Sequence, residues 1–575
     1  MATVKRNLPM ALRFNLKPSH DMDVDTMHRE NSEPLRRSWM DRFLKGIEWA
    51  GNLLPHPVTL FASFALLTIV LSGIGAYFDW SVVDPRGPGA KDRAPDGMIR
   101  VVSLMSPEGL RKISANLVKN FTDFAPLGTV LVALLGVGVA EHSGLLSAAI
   151  RSMVFGVRRE FVTVAVVFAG IISNTASEIG YIVLIPLGAA IYHSLGRHPL
   201  AGLAAAFAGV SGGYSANLLL GTIDPLLAGV TTEAAVIWQP DYQVSAACNW
   251  YFMFASTFLL TVVGSWVSIK IIEPRLGTFD TQYADSQWLA QPRLEKLSSL
   301  EVRGLWITLA SVVILAIVGL YLCWPIGTSK EPAIPAFAAN LPWFGALGFI
   351  EDGDKAPAFL HSIVTIIFVF FLVPGLVFGR VVGTMKSDKD IIQSMTKSMT
   401  SLGSYIVLVF FAAQFVKFFE WTKLGSLLAV TGAQFIKDLG MDNPGILVLF
   451  ILVCATINLI MGSASAKWTF MAPVFVPMMM QLGYSPELIQ CAYRIGDSCT
   501  NVISPMMSYF GMIFVFACRY DKRFGMGSII SLMFPYSMIF LFAWTLFFYL
   551  WVFVLQLPIG PDTPIFLETP VSAGP

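Results

Sequence analysis

The sequence predicts an all-α integral membrane protein of about nine transmembrane helices plus two re-entrant hairpins, arranged as inverted-topology repeats with broken helices. Three observations point there. Of 575 residues, 55% are hydrophobic and only 13% charged, a balance that favours a membrane protein over a large soluble enzyme. Several apolar stretches reach the roughly 20 residues that a helix needs to cross a bilayer. A polar interruption also recurs with the same punctuation in each half. A net charge of +1 with no long basic run excludes nucleic acid as an expected partner and leaves membrane lipid as the main surroundings. Six cysteines, Cys248, Cys323, Cys454, Cys491, Cys499 and Cys518, fall within or beside apolar segments without CxxC spacing, so they read as small buried hydrophobes.

The elements follow in order. Residues 1–50 are polar and basic, lack the apolar core and small-residue cleavage site of a signal peptide, and read as a cytoplasmic N-terminal extension. The first half, 51–272, holds full spans at 55–78, 124–143 and 250–272, a hairpin at about 158–196 and a broken helix at about 199–238. A mixed-charge cytoplasmic linker covers 273–302. Residues 303–399 carry scaffold spans at 303–324 and 358–379. The second half, 400–555, holds spans at 400–418 and 527–555, a hairpin at about 444–483 and a broken helix at about 486–518, before a tail at 556–575. Residues 420–440 read as an amphipathic interfacial helix. Basic residues of the short loops (Arg151, Arg158, Arg159, Arg197; Arg380, Lys386, Lys389, Lys397; Arg519, Lys522, Arg523) fall on one side, which the positive-inside rule makes cytoplasmic. The 79–123 loop is then external.

"SNTASEIGY" (173–181) interrupts the first hairpin between arms about half a span long, and "SASAKW" (463–468) interrupts the second. Irregular backbone at membrane depth survives only when buried in protein or facing a water-filled cavity. Pro186, Leu195, Gly196 and Pro199 recur at the same separations as Pro473, Leu482, Gly483 and Pro486. A broken stretch follows each hairpin, "AGVSGGYSANLLLGTIDPLLAG" and then "YRIGDSCTNVISPMMSYF". This is the inverted-repeat plan of secondary transporters, with the binding site at the repeat interface. Asp224-Pro225 and Ser504-Pro505 read as helix restarts, Thr175 with Glu178 as a capping box, and Ser463 or Ser465 as a cap of the second descending arm. Helix N-termini would then face one region and attract anions. Arg494 is the candidate contact for a substrate carboxylate, with Asp224 and Asp497 as ion or proton carriers. Trp468 offers a surface for an aromatic ring. Asn174, Gly212, Asn217 and Asn501 are candidate sodium ligands, sodium being the one cofactor expected. Plainer readings stand beside these: Asp224 and Glu178 as caps only, Arg494 with Asp497 as a mutual ion pair three residues apart, and Lys467 neutralising Asp224 or Asp497.

At "ISNTASEIGYIVLIPLGA", "GYSANLLLGTIDPLLAG", "GSASAKWTFMAPVFVPM" and "YRIGDSCTNVISPMMSYF" the chain resembles the p-aminobenzoyl-glutamate transporter family, AbgT, over about residues 50–555. The resemblance implies a bowl-shaped homodimer in the bacterial inner membrane, similar in layout to sodium-coupled dicarboxylate transporters. It implies transport of p-aminobenzoyl-glutamate-like folate catabolites, a small aromatic carboxylate, or export of sulfonamide antimetabolites and hence sulfonamide resistance. By motif match it places functional positions at Asn174, Asp224, Ser465, Trp468, Pro486, Arg494, Asp497, Asn501 and Pro505. The second tip reads Gly-Ser-Ala-Ser where a second Ser-Asn-Thr would stand, which argues against two equivalent sodium sites.

The expected function is therefore ion-coupled secondary transport, by symport or antiport, driven by sodium or protons, with a sodium-coupled dicarboxylate transporter as the alternative. From another class, an intramembrane aspartyl protease would use Asp224 and Asp497. "RIGD" resembles its GxGD motif, but Arg494 stands where the first glycine belongs. An ion channel fits less well, because closed hairpin tips suggest gated binding.

Overall fold

The computed structural model describes residues 57–86, 93–176, 180–285, 296–324, 342–348, 358–441 and 443–567. The N-terminal extension 1–50 and Glu178 of the expected capping box lie outside the described residues. Among the described residues, seven helices are long and apolar enough to cross a membrane, Pro57–Tyr77, Pro107–His142, Trp250–Leu276, Ser299–Cys323, Ile363–Val382, Gly403–Trp421 and Met526–Val554. They fall on the seven uninterrupted stretches.

In chain order the elements are α1 (Pro57–Tyr77), a small antiparallel pair β1 (Ser81–Val83) and β2 (Met98–Arg100), α2 (Pro107–Thr122), α3 (Ala125–His142) and α4 (Leu145–Val154). Then come the short α5 (Val162–Ser173) and α6 (Ile185–Ser194), the latter entered through a π turn at Gly180–Leu184. The first broken helix is α7 (Pro199–Phe207), a π turn at Ala208–Gly212, irregular chain, and α8 (Ile223–Val236). After α9 (Trp250–Val267) follow α10 (Ser299–Cys323), α11 (Ile363–Val382), α12 (Asp388–Ser401), α13 (Gly403–Trp421) and α14 (Leu424–Asp438). The second short pair is α15 (Gly445–Ile460) and α16 (Ala464–Met480). The second broken helix is α17 (Pro486–Asn501) with α18 (Phe510–Tyr520), and α19 (Met526–Tyr549) completes the chain.

The apolar helices differ in which faces meet protein. In α1 the buried residues are Phe61, Ala65, Thr68, Ser72 and Gly75, spaced by fours and threes, which is one stripe of a helix. That stripe packs on α13, where Val409, Ala412, Phe415, Val416 and Phe419 are buried in the same cluster. On α10 only Gly304 and Thr308 are buried, and its remaining apolar surface suits lipid. The 79–123 stretch, expected as a loop, carries both strands and α2. The helix starts because Ser106 Oγ accepts from Gly109 N and Pro107 stands in its first turn. It is tied to α13 by a buried bond from Asn120 Nδ2 to Gln414 Oε1, 2.8 Å.

At the centre every residue of α17 is buried, including Glu487, Gln490, Arg494, Asp497 and Asn501. Such a helix is polar because its neighbours α15, α16, α8 and α19 supply partners that lipid cannot. α16 carries Pro473 and Pro477 inside its span, tolerated where packed neighbours stabilise the interrupted backbone.

An offset of 287 residues relates the two short pairs and their broken helices in space as well as in sequence. A Cβ on Gly209 would lie 2.4 Å from Val167 O, and one on Gly496 would lie 2.4 Å from Ile451 O and 2.8 Å from Cys454 Cβ. Val167 and Cys454 are 287 apart, as are the two glycines. Ser504 Oγ donates to Asn458 O at 3.0 Å, and the Asn217 amide, oriented to satisfy both its ends, donates to Ile171 O at 3.3 Å. Those partners are also 287 apart. Gly196 and Gly483, again one offset apart, both adopt a left-handed backbone (φ +72° and +91°), where glycine pays no steric penalty.

Candidate functional site

The site assembles where the two tips approach the breaks. At the first tip Asn174 to Ala176 form a 3₁₀ turn, and Thr175 lies against Gly221 of the first break, whose Cβ would come within 3.1 Å of it. At the second tip Gly462 lies against Met506, with a would-be Cβ 2.4 Å from Met506 O. Pro505 sits beside that contact in the second break.

Two ion pairs occupy the core between these parts. Arg494 Nη1 meets Asp224 Oδ1 at 2.7 Å, both side chains almost fully buried, and Arg494 Nη2 donates to Ser215 O at 3.0 Å. This pair joins the second half to the first. Arg494 Nε is buried with no partner among the described residues. Lys467 Nζ pairs with Asp497 Oδ1 and donates to Asn458 Oδ1. Asn458 Nδ2 in turn donates to Asp497 O (2.6 Å), Thr500 Oγ1 (2.9 Å) and Asn501 Oδ1 (2.8 Å). Each carboxylate thus has its own cation, as buried charges require.

Several expectations need correction. Arg494 and Asp497, three apart on α17, do not pair with each other; each reaches a different element. Arg494 does not stand open to a carboxylate but already holds Asp224. Asp224 is not the N-cap residue: α8 starts at Ile223 with Thr222 at the cap, because the Asp224 carboxylate is committed to Arg494 and to Gly221 N (2.7 Å). Ser504 caps no helix; its hydroxyl goes to Asn458 O, and α18 begins only at Phe510. Ser463 does cap α16, accepting from Ala466 N at 3.4 Å. Trp468 shows no open face. It is fully buried, stacks on Tyr493 with ring centroids 4.3 Å apart, and its Nε1 donates to Thr231 Oγ1 at 2.9 Å.

The candidate sodium ligands divide between the two halves. Asn174 and Asn217 cluster at the first tip: Asn174 Nδ2 is 3.5 Å from both Gly170 O and Gly213 O, and Asn217 meets Thr175 at 3.2 Å. Asn174 Oδ1 is buried with no partner among the described residues, so it has an unmet capacity to accept a donor or a cation. Gly212 faces the Phe540 ring, 2.9 Å from its would-be Cβ. Asn501 belongs to the second half, on Asn458. Pro486 is the first residue of α17, where Ser485 Oγ accepts from Leu488 N at 3.2 Å. Eight residues separate it from Arg494, about 12 Å of helix rise, which sets it apart from the ion pairs.

Ser465 opens onto a narrow crevice between α3, α8, α13 and α16, lined by Phe124, Leu226, Val230, Tyr405 and Thr469. Behind Trp468 a polar chain continues: Thr231 Oγ1 bonds Gln490 Oε1 at 2.5 Å, and Gln490 Nε2 bonds Asn249 Oδ1 at 3.0 Å. Asn458, Tyr493, Thr231 and Gln490 are the members that sequence reasoning missed. A lone asparagine inside the apolar run "ILVCATINLI" was the available signal for Asn458. The four charges sum to zero and no two carboxylates share a proton site, so the arrangement suits reversible displacement of one ion-pair partner by a charged ligand. An aspartyl protease needs its two carboxylates together, and here they are held by separate cations.

Residues 42–567 match the family model described as "AbgT putative transporter family". The chain is 34% identical over 516 residues to the p-aminobenzoyl-glutamate transport protein of Escherichia coli K12, covering 90% of this chain and 95% of that one. Among solved structures it is similar to Neisseria gonorrhoeae MtrF, described as illuminating a class of antimetabolite efflux pumps, with TM-score 0.82 and 52% identity over 91% of this chain and all of that one. It is also similar to the Alcanivorax borkumensis YdaH transporter, reported to have an unusual topology, with TM-score 0.77 and 40% identity over 88% of this chain and all of that one.

Proposed function

The chain belongs to the AbgT transporter family, a family of membrane transport proteins, and from that premise we propose that it is an ion-coupled secondary transporter for p-aminobenzoyl-glutamate-like aromatic carboxylates, sulfonamide antimetabolites, or both. The observation that carries this reading is the Asp224–Arg494 pair, which spans the two halves at 2.7 Å and leaves one guanidinium nitrogen without a partner among the described residues. An incoming carboxylate competes with Asp224 for the planar donor fork of Arg494. Once displaced, the Asp224 carboxylate is a buried charge without its cation, and an incoming cation relieves that cost. Binding of an anion and entry of a cation are thereby linked. The crevice beside Ser465, between Phe124 and Tyr405, holds only about 10 Å³, so it must widen before the aromatic part of the substrate enters.

A sodium-driven version would use the first tip, where Asn174 Oδ1 is an oxygen without a partner among the described residues and the Gly213 carbonyl lies close by. The short arms are proposed to enter and leave the bilayer on one side. α5, with 12 residues, measures about 18 Å at 1.5 Å per residue, against a hydrocarbon core of about 30 Å. The basic short loops support a cytoplasmic N-terminus in the bacterial inner membrane, and a homodimer is proposed from family layout.

The test uses purified protein in liposomes, labelled p-aminobenzoyl-glutamate or a sulfonamide, and sodium and proton gradients imposed separately. Accumulation or expulsion that follows one gradient is expected. Movement indifferent to both overturns the proposal.

A further inference from the structure

We propose that the Lys467 ammonium acts as a tethered monovalent cation at the second tip, so that the oxygens around it form a sodium site once that ammonium is removed. This inference deepens the reading of an ion-coupled transporter and concerns which half supplies an exchangeable ion.

Three elements converge on one nitrogen. α16 brings Lys467, fully buried; α17 brings the Asp497 carboxylate; and α15 brings the Asn458 carbonyl oxygen. A bound cation between a tip and a broken helix would occupy that same corner. An ordinary ion pair needs only two of these groups. Here two side-chain oxygens, Asp497 Oδ1 and Asn458 Oδ1, face the ammonium, and the Asn458 amide nitrogen is fixed behind them by Thr500 Oγ1 and Asn501 Oδ1. Hard oxygen donors of this kind suit hard cations, and a single carboxylate balances a single positive charge. Lysine supplies that charge as a compact point.

The first half shows that the fold itself needs no charge there. The 287-residue offset puts Ile171 at the position of Asn458, Gly180 at that of Lys467 and Val210 at that of Asp497. Two of the equivalent positions are also close: a Cβ on Gly180 would lie 3.0 Å from Val210 Cγ1, with Ser173 Oγ nearer still at 2.1 Å. That corner is closed without charge, by Val210 and the Ser173 hydroxyl, in one copy and filled by an ammonium with its oxygens in the other. Asn, Lys and Asp are therefore a matched set added to a backbone frame that works without them.

The experiment counts sodium on detergent-purified full-length protein by equilibrium binding of radioactive sodium, and follows thermal unfolding in sodium chloride against N-methylglucamine chloride. Lys467→Ala is expected to bind one more sodium per chain than the unaltered protein and to gain a sodium-dependent rise in unfolding temperature. Lys467→Ala/Asp497→Ala, which removes both charges, is expected to lose the extra ion and the rise. An unchanged sodium count in Lys467→Ala overturns the proposal. So does failure to recover folded Lys467→Ala from sodium-containing buffer when the double variant is recovered, or an equal sodium response in both. Because the readout is equilibrium binding, it can fail while gradient-driven transport by the unaltered protein succeeds, and the reverse.

Discussion

The two tips share a backbone frame and differ in chemistry. In the first, the corner between tip and broken helix is made by Ile171, Gly180 and Val210, and Asn174 Oδ1 is a buried polar atom without a partner among the described residues. In the second, the same positions carry Asn458, Lys467 and Asp497, and Lys467 is matched by an acceptor on each of the other two. Gly209 and Gly496 nonetheless pack alike on their short arms. An internal duplication has thus kept its close backbone contacts while charge gathered on one copy. The backbone contacts serve assembly, and the unequal side chains serve binding and coupling.

Substitutions can break or sharpen this contrast, from the largest expected effect to the smallest. Arg494→Ala leaves Asp224 buried without its cation, a change that costs about 3–5 kcal/mol in comparable pairs. It is expected to abolish transport in liposomes and to lower the unfolding temperature clearly. Arg494→Met with Asp224→Leu should recover much of the stability and none of the transport; recovery of transport would remove the pair from the site. Asn458→Ala takes one partner from each of Thr500, Asn501 and Lys467. Thr500 keeps Ala455 O and Gly496 O, and Lys467 keeps Asp497. Asn501 Oδ1 loses the Asn458 amide, a buried polar group left alone costing about 1–3 kcal/mol. Thermal unfolding should show it as more damaging than any single polar change at the first tip.

Gly496→Ala and Gly209→Ala each force a methyl group to within 2.4 Å of a carbonyl oxygen, an overpacking worth about 1–3 kcal/mol. The two should be equal within error, since the frame is common; unequal losses would break the repeat relation. Asn174→Ala removes an acceptor that holds no partner among the described residues. Its stability change should stay below about 1 kcal/mol, whereas transport or its gradient response falls. A large unfolding shift without a transport defect would make Asn174 structural.

Much of the architecture was legible because bilayer thickness imposes a length on apolar helices, and Gly196, Gly483, Pro199 and Pro486 punctuate both halves alike. The pairing of charges was not. Arg494 and Asp497 share a helix face by spacing, but α17 is enclosed on every side, so each found a partner on a different neighbour, which spacing along one helix cannot show. Trp468 looked like an open platform because nothing in its vicinity marks Tyr493, twenty-five residues on, as the ring that covers it. Ser504 carries the signature of a cap before proline, yet its hydroxyl bonds a carbonyl from another element. Local propensity lost there to a tertiary bond.

The contacts at Gly209 and Gly496 admit not even a methyl group, so sliding a short arm along its interrupted helix would drive a neighbouring side chain into a carbonyl. Each arm and the helix it touches must then travel as one rigid wedge. Whatever displacement carries cargo through this protein has its shear plane outside that wedge.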